Sequence, residues 1–220
     1  MDESLHVSLA GESLCLYAGR ALYWPARQRL LVADLHLGKD DSFRAAGIAL
    51  PTGVAQHDLE RLSALIERSG AQSLWVLGDL LHGPRIQSRW HADWQAFRDR
   101  HAQLPMLLIE GNHDRAAAHA QLGVEQRADR IADGPFVFSH APLEAQRAGA
   151  FGVCGHVHPV VRVPGLRGRF AAFALLGRQL ILPAFSAFTG GWAIDQAHAR
   201  YACLGEHLLN LGPTRDLPPD

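Results

Sequence analysis

The chain has 220 residues, 48% of them hydrophobic and 20% charged, with a formal net charge of -1; this suits one soluble globular domain with a sizeable core and gives no general attraction for polyanions. Cys15, Cys154 and Cys203 are odd in number and far apart, which excludes a disulfide framework and a C-x-x-C metal knot. No apolar run reaches the roughly 18 residues of a membrane span, and Met1-Asp2-Glu3-Ser4 lacks the basic start of a secretory leader, so a cytoplasmic protein without membrane association is expected.

In chain order, short apolar pieces at 5–9 and 14–17, parted by Gly11, predict a hairpin. The run 29–33 predicts a buried strand that ends in Asp34. Leu59, Leu62, Leu65 and Ile66 carry helical spacing, so 54–69 predicts a helix that Gly70 terminates. A second buried strand at 73–77 runs into Gly78-Asp79. A helix at 87–101 aligns Trp90, Trp94 and Phe97 on a core face. A third strand, 105–109, leads to Gly111-Asn112, and a helix is expected at 115–122. The second half breaks into strand-like pieces at 136–138, 151–154, 160–163, 169–175 and 179–182, with a weak helical signal at 143–148. Three β-α units followed mostly by strands predict two sheets packed face to face with helices outside. One domain at 1–211 with a Pro-rich tail at 212–220 is expected.

Five short motifs each set Asp, Asn or His directly behind a predicted strand. They are Asp34-Leu35-His36, Gly78-Asp79, Gly111-Asn112-His113-Asp114, Ser139-His140 and Gly155-His156-Val157-His158. Ligands of α/β sheets gather beyond the carboxyl ends of strands. Two carboxylates, one amide oxygen and four imidazoles form a nitrogen and oxygen donor set without thiolate. That set suits divalent first-row ions such as Mn, Fe, Co, Ni or Zn. Seven donors exceed one tetrahedral ion and fit two ions if a carboxylate bridges them. Taken singly these motifs are ordinary turns; their order, each behind an apolar run, carries the reading.

These motifs resemble those of the calcineurin-like metallophosphoesterases: Asp-x-His, Gly-Asp, Gly-Asn-His-Asp, a lone His and Gly-His-x-His. The resemblance implies a four-layer α-β-β-α sandwich of two mixed β-sheets with the metals at one edge. It also implies that Asp34, His36, Asp79 and His158 bind one ion, and that Asp79, Asn112, His140 and His156 bind the other. A narrower resemblance lies in Asp34-Leu35-His36-Leu37-Gly38-Lys39, in 43–48 and in 182–189, which look like the bacterial ligase-associated DNA damage response endonucleases. That clade implies manganese-dependent phosphodiester cleavage, single-stranded DNA as substrate, a DNA repair setting and functional association with a DNA ligase and a helicase.

The expected chemistry is in-line attack on phosphorus by a hydroxide shared between ions roughly 4 Å apart. His113, next to Asn112, is expected to assist the leaving oxygen, with Asp114 orienting it. Lys39 and Arg44 are candidate contacts to a flanking phosphate, with Arg85 and Arg89 weaker candidates of the same kind. His82, where relatives commonly carry Asp, is a further candidate for substrate contact. For Phe185 and Phe188 a cleft lining and a packing role both fit. Two other functions compete with the endonuclease: a small-molecule phosphodiesterase or nucleotide pyrophosphatase, and a non-catalytic scaffold of the same fold. A scaffold has no need of seven converging donors.

Overall fold

The computed structural model describes residues 3–45, 47–48, 53–82, 89–114, 122–143, 150–194 and 196–212. The first sheet opens with an antiparallel meander: β1 (Ser4–Leu9), β2 (Glu12–Tyr17), β3 (Ala21–Trp24) and β4 (Arg29–Val32). Parallel strands β5 (Ser73–Leu77), β6 (Met106–Ile109) and β7 (Glu125–Arg127) then follow in order. Helices α1 (Lys39–Ala45) and α2 (Val54–Ser69) lie between β4 and β5, and α3 (Arg89–Arg100) lies between β5 and β6.

The second sheet is built from β8 (Ile131–Asp133), β9 (Phe136–Ser139), β10 (Phe151–Cys154), β11 (Pro159–Val161), β12 (Phe170–Leu176), β13 (Gln179–Ile181) and β14 (Trp192–Ala193). Its order is β14-β11-β12-β13-β10-β9-β8. The hairpin β15 (Ala199–Leu204) and β16 (His207–Gly212) joins through β12. Both sheets mix parallel and antiparallel pairs, giving the α/β sandwich expected.

Strands β4 to β6 read as unbroken apolar runs because both of their faces are covered. On one face Leu30, Val32, Leu74 and Val76 meet Leu59, Leu62 and Ile66 of α2 and Trp90, Trp94 and Phe97 of α3. On the other, Leu31, Trp75, Leu77 and Ile109 meet Phe136, Phe138, Val153 and Leu182 of the second sheet. Trp75 and Phe138 touch edge to face at 5.2 Å, a contact worth about 1 kcal/mol beyond its buried area. Arg29 of β4 lies 3.7 Å over the Trp75 ring and pairs with Asp133 of β8 at 2.7 Å, so one guanidinium ties the sheets.

Helix α2 ends where expected, at Gly70, whose φ of +64° lets the chain close the last turn. Strands β7 and β8 escaped the sequence reading because their side chains are largely exposed, so backbone pairing leaves no apolar signature. The segment after Asp34 contains the short helix α1. Among the described residues, helices cover the outer face of the first sheet only. The helices expected at 115–122 and 143–148 fall almost wholly at 115–121 and 144–149, and the tail at 213–220, all outside the described residues. No described helix is long and apolar enough to cross a membrane.

Candidate metal centre

The loops after β4, β5, β6, β9 and β10 converge at one edge of the sandwich. Backbone bonds join them: Asp34 N–H donates to Gly78 O at 3.1 Å, His36 N–H to Asp79 O at 2.9 Å, and Gly155 N–H to His140 O at 2.9 Å. Among the described residues, eight non-glycine residues have positive φ, and five of them are Asp34, His36, Asp79, His156 and His158. Each left-handed residue turns the chain sharply at a strand end, at about 1–3 kcal/mol of local strain that the surrounding packing must offset. Strain gathered on expected ligands points to function rather than to folding need.

Two donor groups result. Asp34, His36 and His158 form one, and Asp79, His140 and His156 the other, each with one donor atom per residue within 4.8 Å of the rest. In the first, His36 Nε2 and His158 Nε2 face each other at 3.4 Å, and Asp34 Oδ1 lies 3.4 Å from His158 Nε2. Among the described residues Asp34 Oδ1 and His36 Nδ1 are buried without a hydrogen-bond partner. In the second, His140 Nδ1–H donates to Leu77 O at 3.1 Å, which turns Nε2 toward the other donors. That Nε2 sits 2.9 Å from Asn112 Oδ1 and 2.9 Å from His156 Nδ1. Asn112 Oδ1 thus lies beside the second group.

His140 is also within 4 Å of both carboxylates, 3.8 Å from Asp34 and 3.7 Å from Asp79, so the groups adjoin. Burial, then the charge of Lys39, pushes the His36 imidazole down to about 2. Burial, followed by His140, lowers His156 as well. Both rings are therefore neutral near pH 7 and offer lone pairs rather than protons. Facing lone pairs and a buried carboxylate oxygen without a hydrogen-bond partner are satisfied by cations, and the residues fit two divalent ions.

Glycines make the approach close enough. A Cβ on Gly78 would lie 2.0 Å from His140 Nδ1, one on Gly111 2.2 Å from Asp79 Oδ1, and one on Gly155 2.6 Å from Asp34 Oδ2.

His113 is exposed, and its backbone N–H donates to Asp79 Oδ1 at 3.0 Å. Asp114 does not have the orienting role expected of it. Its Oδ1 accepts Leu81 N–H and its Oδ2 accepts Gly111 N–H, each at 2.9 Å, so the buried carboxylate staples two ligand loops together. Rings orient His113 instead: His82 stacks on it at 5.6 Å with planes 21° apart, and His36 meets it edge-on at 5.8 Å. His82 in turn stacks on Phe43 at 6.4 Å, and burial followed by Lys39 holds its imidazole below the usual range.

Lys39 donates to Thr189 Oγ1 at 3.2 Å, and burial lowers its pKa against the pull of Asp34 and Asp79. Arg44 is held by Asp40 at 2.9 Å and Asp41 at 2.6 Å along α1, the local pairing that competes with a phosphate role. Arg89 opens α3, and Arg85 lies outside the described residues. Phe185 is fully buried in the core, whereas Phe188 is 37% exposed and packs against Phe43 at 6.4 Å.

Sequence reasoning missed the residues that hold this last loop. Arg20 donates to Ser186 O at 2.9 Å, Arg61 donates to Phe185 O, and Asp58 accepts Ala187 N–H at 3.2 Å. Asp58 and Arg61 pair at 2.8 Å. The detectable signal was an Asp-x-x-Arg pair flanking the apolar stripe of α2. Burial holds the Asp58 carboxyl above its usual range against the attraction of Arg61. Arg61→Ala leaves that carboxylate buried and unpaired, and a stability loss of about 3 kcal/mol is expected. Urea melts measure it; an unchanged midpoint would mean that the pair carries no net stabilisation.

The model of the calcineurin-like phosphoesterase family matches residues 29–173. A crystal structure of Pseudomonas putida nuclease MPE superposes with a TM-score of 0.81 at 34% identity, covering 94% of this chain and all of that one. YfcE, a phosphoesterase from E. coli, covers 84% of this chain and 98% of its own at 18% identity and a TM-score of 0.48. The protein of unknown function AQ665 from Aquifex aeolicus covers 59% of this chain and 78% of its own at 16% identity and a TM-score of 0.43. No curated protein matches the chain. The chain therefore belongs to the calcineurin-like phosphoesterase family and is a metal-dependent phosphoesterase.

Proposed function

We propose that this chain is a two-metal phosphodiesterase that nicks single-stranded DNA in a DNA repair setting in the cytoplasm, with manganese as its ion. The observation that carries the reading is the pair of adjoining donor groups, Asp34/His36/His158 and Asp79/His140/His156, with Asn112 beside the second. The 34% identity to a nuclease over 94% of the chain supports polynucleotide rather than small-molecule substrates. Divalent ions in such groups supply Lewis acidity, lowering the pKa of water and neutralising phosphoryl charge.

The chain's own residues then have distinct tasks. Asp79, a donor of the second group, would serve both ions. His113, anchored through its backbone to Asp79 but with an exposed ring, reaches the leaving oxygen as proton donor or hydrogen-bond donor. The Lys39 ammonium attracts phosphate oxygen toward the cleft. Functional association with a DNA ligase and a helicase belongs to the same repair setting.

The test is an assay of circular single-stranded DNA beside chromogenic phosphate mono- and diesters, with Mn, Fe, Zn, Co and Ni in turn. Nicking of the circle, strongest with Mn, is expected; turnover of the monoester alone would overturn the proposal. His113→Ala is expected to keep its metal while losing about 100-fold in turnover of diesters with poor leaving groups, and less with good ones. Equal losses on both, or loss of metal, would contradict the role assigned to His113.

A further inference from the structure

Trp192 is 75% exposed, while Trp24, Trp75, Trp90 and Trp94 are all buried. An indole in water is unusual enough to require a reason. Its backbone is held in place: the main-chain N–H of Trp192 donates to His158 O at 3.1 Å, and strand β14 pairs Trp192 with Pro159. The backbone that carries the ring is thus registered directly to that of a metal-group histidine. Gly191 makes this approach possible, since a Cβ there would lie 2.2 Å from His158 O.

A cleft of about 360 Å³ adjoins, lined by His158, Thr189, Gly190, Arg20 and Arg169. Arg162, Arg167 and Arg169 are exposed on the β11–β12 hairpin. Across residues 145–194 there are five arginines and no Asp or Glu, in a chain whose net charge is only -1. Of these, Arg169 lines the cleft together with His158, and Arg20 joins it there.

Resting on the nuclease reading above, we infer that Trp192 is a stacking platform for an unpaired base next to the scissile phosphodiester. The Arg169 side of the cleft holds the flanking phosphate. Each part has its chemistry: an exposed indole offers a π-face that any unpaired base can cover, and a duplex base cannot. The arginines match the backbone phosphates in charge. A second copy of this chain would bring the same arginines against one another, so charge favours the polyanion as occupant.

The buried state of the other tryptophans makes intrinsic fluorescence a reporter of Trp192. Full-length, manganese-loaded protein is mixed with oligothymidylate in a stopped-flow instrument and read before turnover. Quenching is expected with the single strand and not with a duplex of equal length. Trp192→Ala is expected to lose the quench and raise KM for single strands about tenfold, with turnover of a chromogenic diester unchanged, while Trp192→Phe keeps most of the affinity. Arg169→Gln is expected to reduce the salt dependence of binding by about one phosphate contact. If wild-type protein cuts and is quenched by single strands but Trp192→Ala has unchanged KM, the platform is wrong while the nuclease reading stands. If wild-type protein hydrolyses the diester but neither cuts nor is quenched by single strands, both fall. A concentration-dependent dimer that Trp192→Ala abolishes would assign the face to self-association and overturn the inference.

Discussion

Asp79→Ala is expected to strip the protein of both ions and to lower phosphodiester turnover by about a thousand-fold or more, since several kcal/mol of barrier lowering rest on them. Three features converge on this carboxylate. It is buried, it lies 3.7 Å from His140 Nε2 through Oδ2, and its Oδ1 accepts the His113 N–H at 3.0 Å. Its backbone carbonyl also receives His36 N–H, so the first donor group is built against it. Deleting the side chain removes a negative donor from the second group and frees the loop that carries Asn112 and His113. Asp79→Asn separates these effects, because an amide oxygen still accepts His113 N–H while the anion is gone. Metal analysis after gel filtration and turnover of a chromogenic diester check both variants. An Asp79→Ala protein that keeps two ions per chain would remove Asp79 from the shared position.

Gly78→Ala is the second large effect, and it adds only a methyl group. At φ +81° an L-residue is strained, and the added Cβ would lie 2.0 Å from His140 Nδ1 and 2.8 Å from His140 Cβ. The buried ring cannot yield without giving up Leu77 O on one side and Asn112 on the other. A stability loss of about 2–4 kcal/mol is expected from overpacking and strain together, with loss of the ion at the second group. Gly177→Ala is the control, since Gly177 also has positive φ (+58°) but no atom within 4 Å of the added Cβ. Only backbone strain remains there, about 1 kcal/mol. Equal denaturation midpoints for the two variants would show that the crowding at His140 is relaxed at no cost.

Much of this was legible in the residues themselves. Buried strands declare themselves by unbroken apolar runs, and α2 by its stripe and closing glycine, because in each the packing surface sets the sequence. The ligand motifs were legible because chemistry restricts them to a few residue types directly behind strands. The second layer of support was not. Asp114 sits one residue from His113 in the chain, yet its oxygens are taken by backbone amides that only the folded loops bring near. Lys39 to Thr189, and Asp58 to Ala187, span more than a hundred residues and leave no local pattern. Trp192 was equally silent, since exposure is a property of the sheet edge and not of the residue.

The most direct measurement is the anomalous scattering of crystals grown with manganese. The account predicts two strong peaks, one among Asp34, His36 and His158 and one among Asn112, His140 and His156, with the Asp79 carboxylate reaching both. A single peak, or none within reach of these side chains, would contradict it.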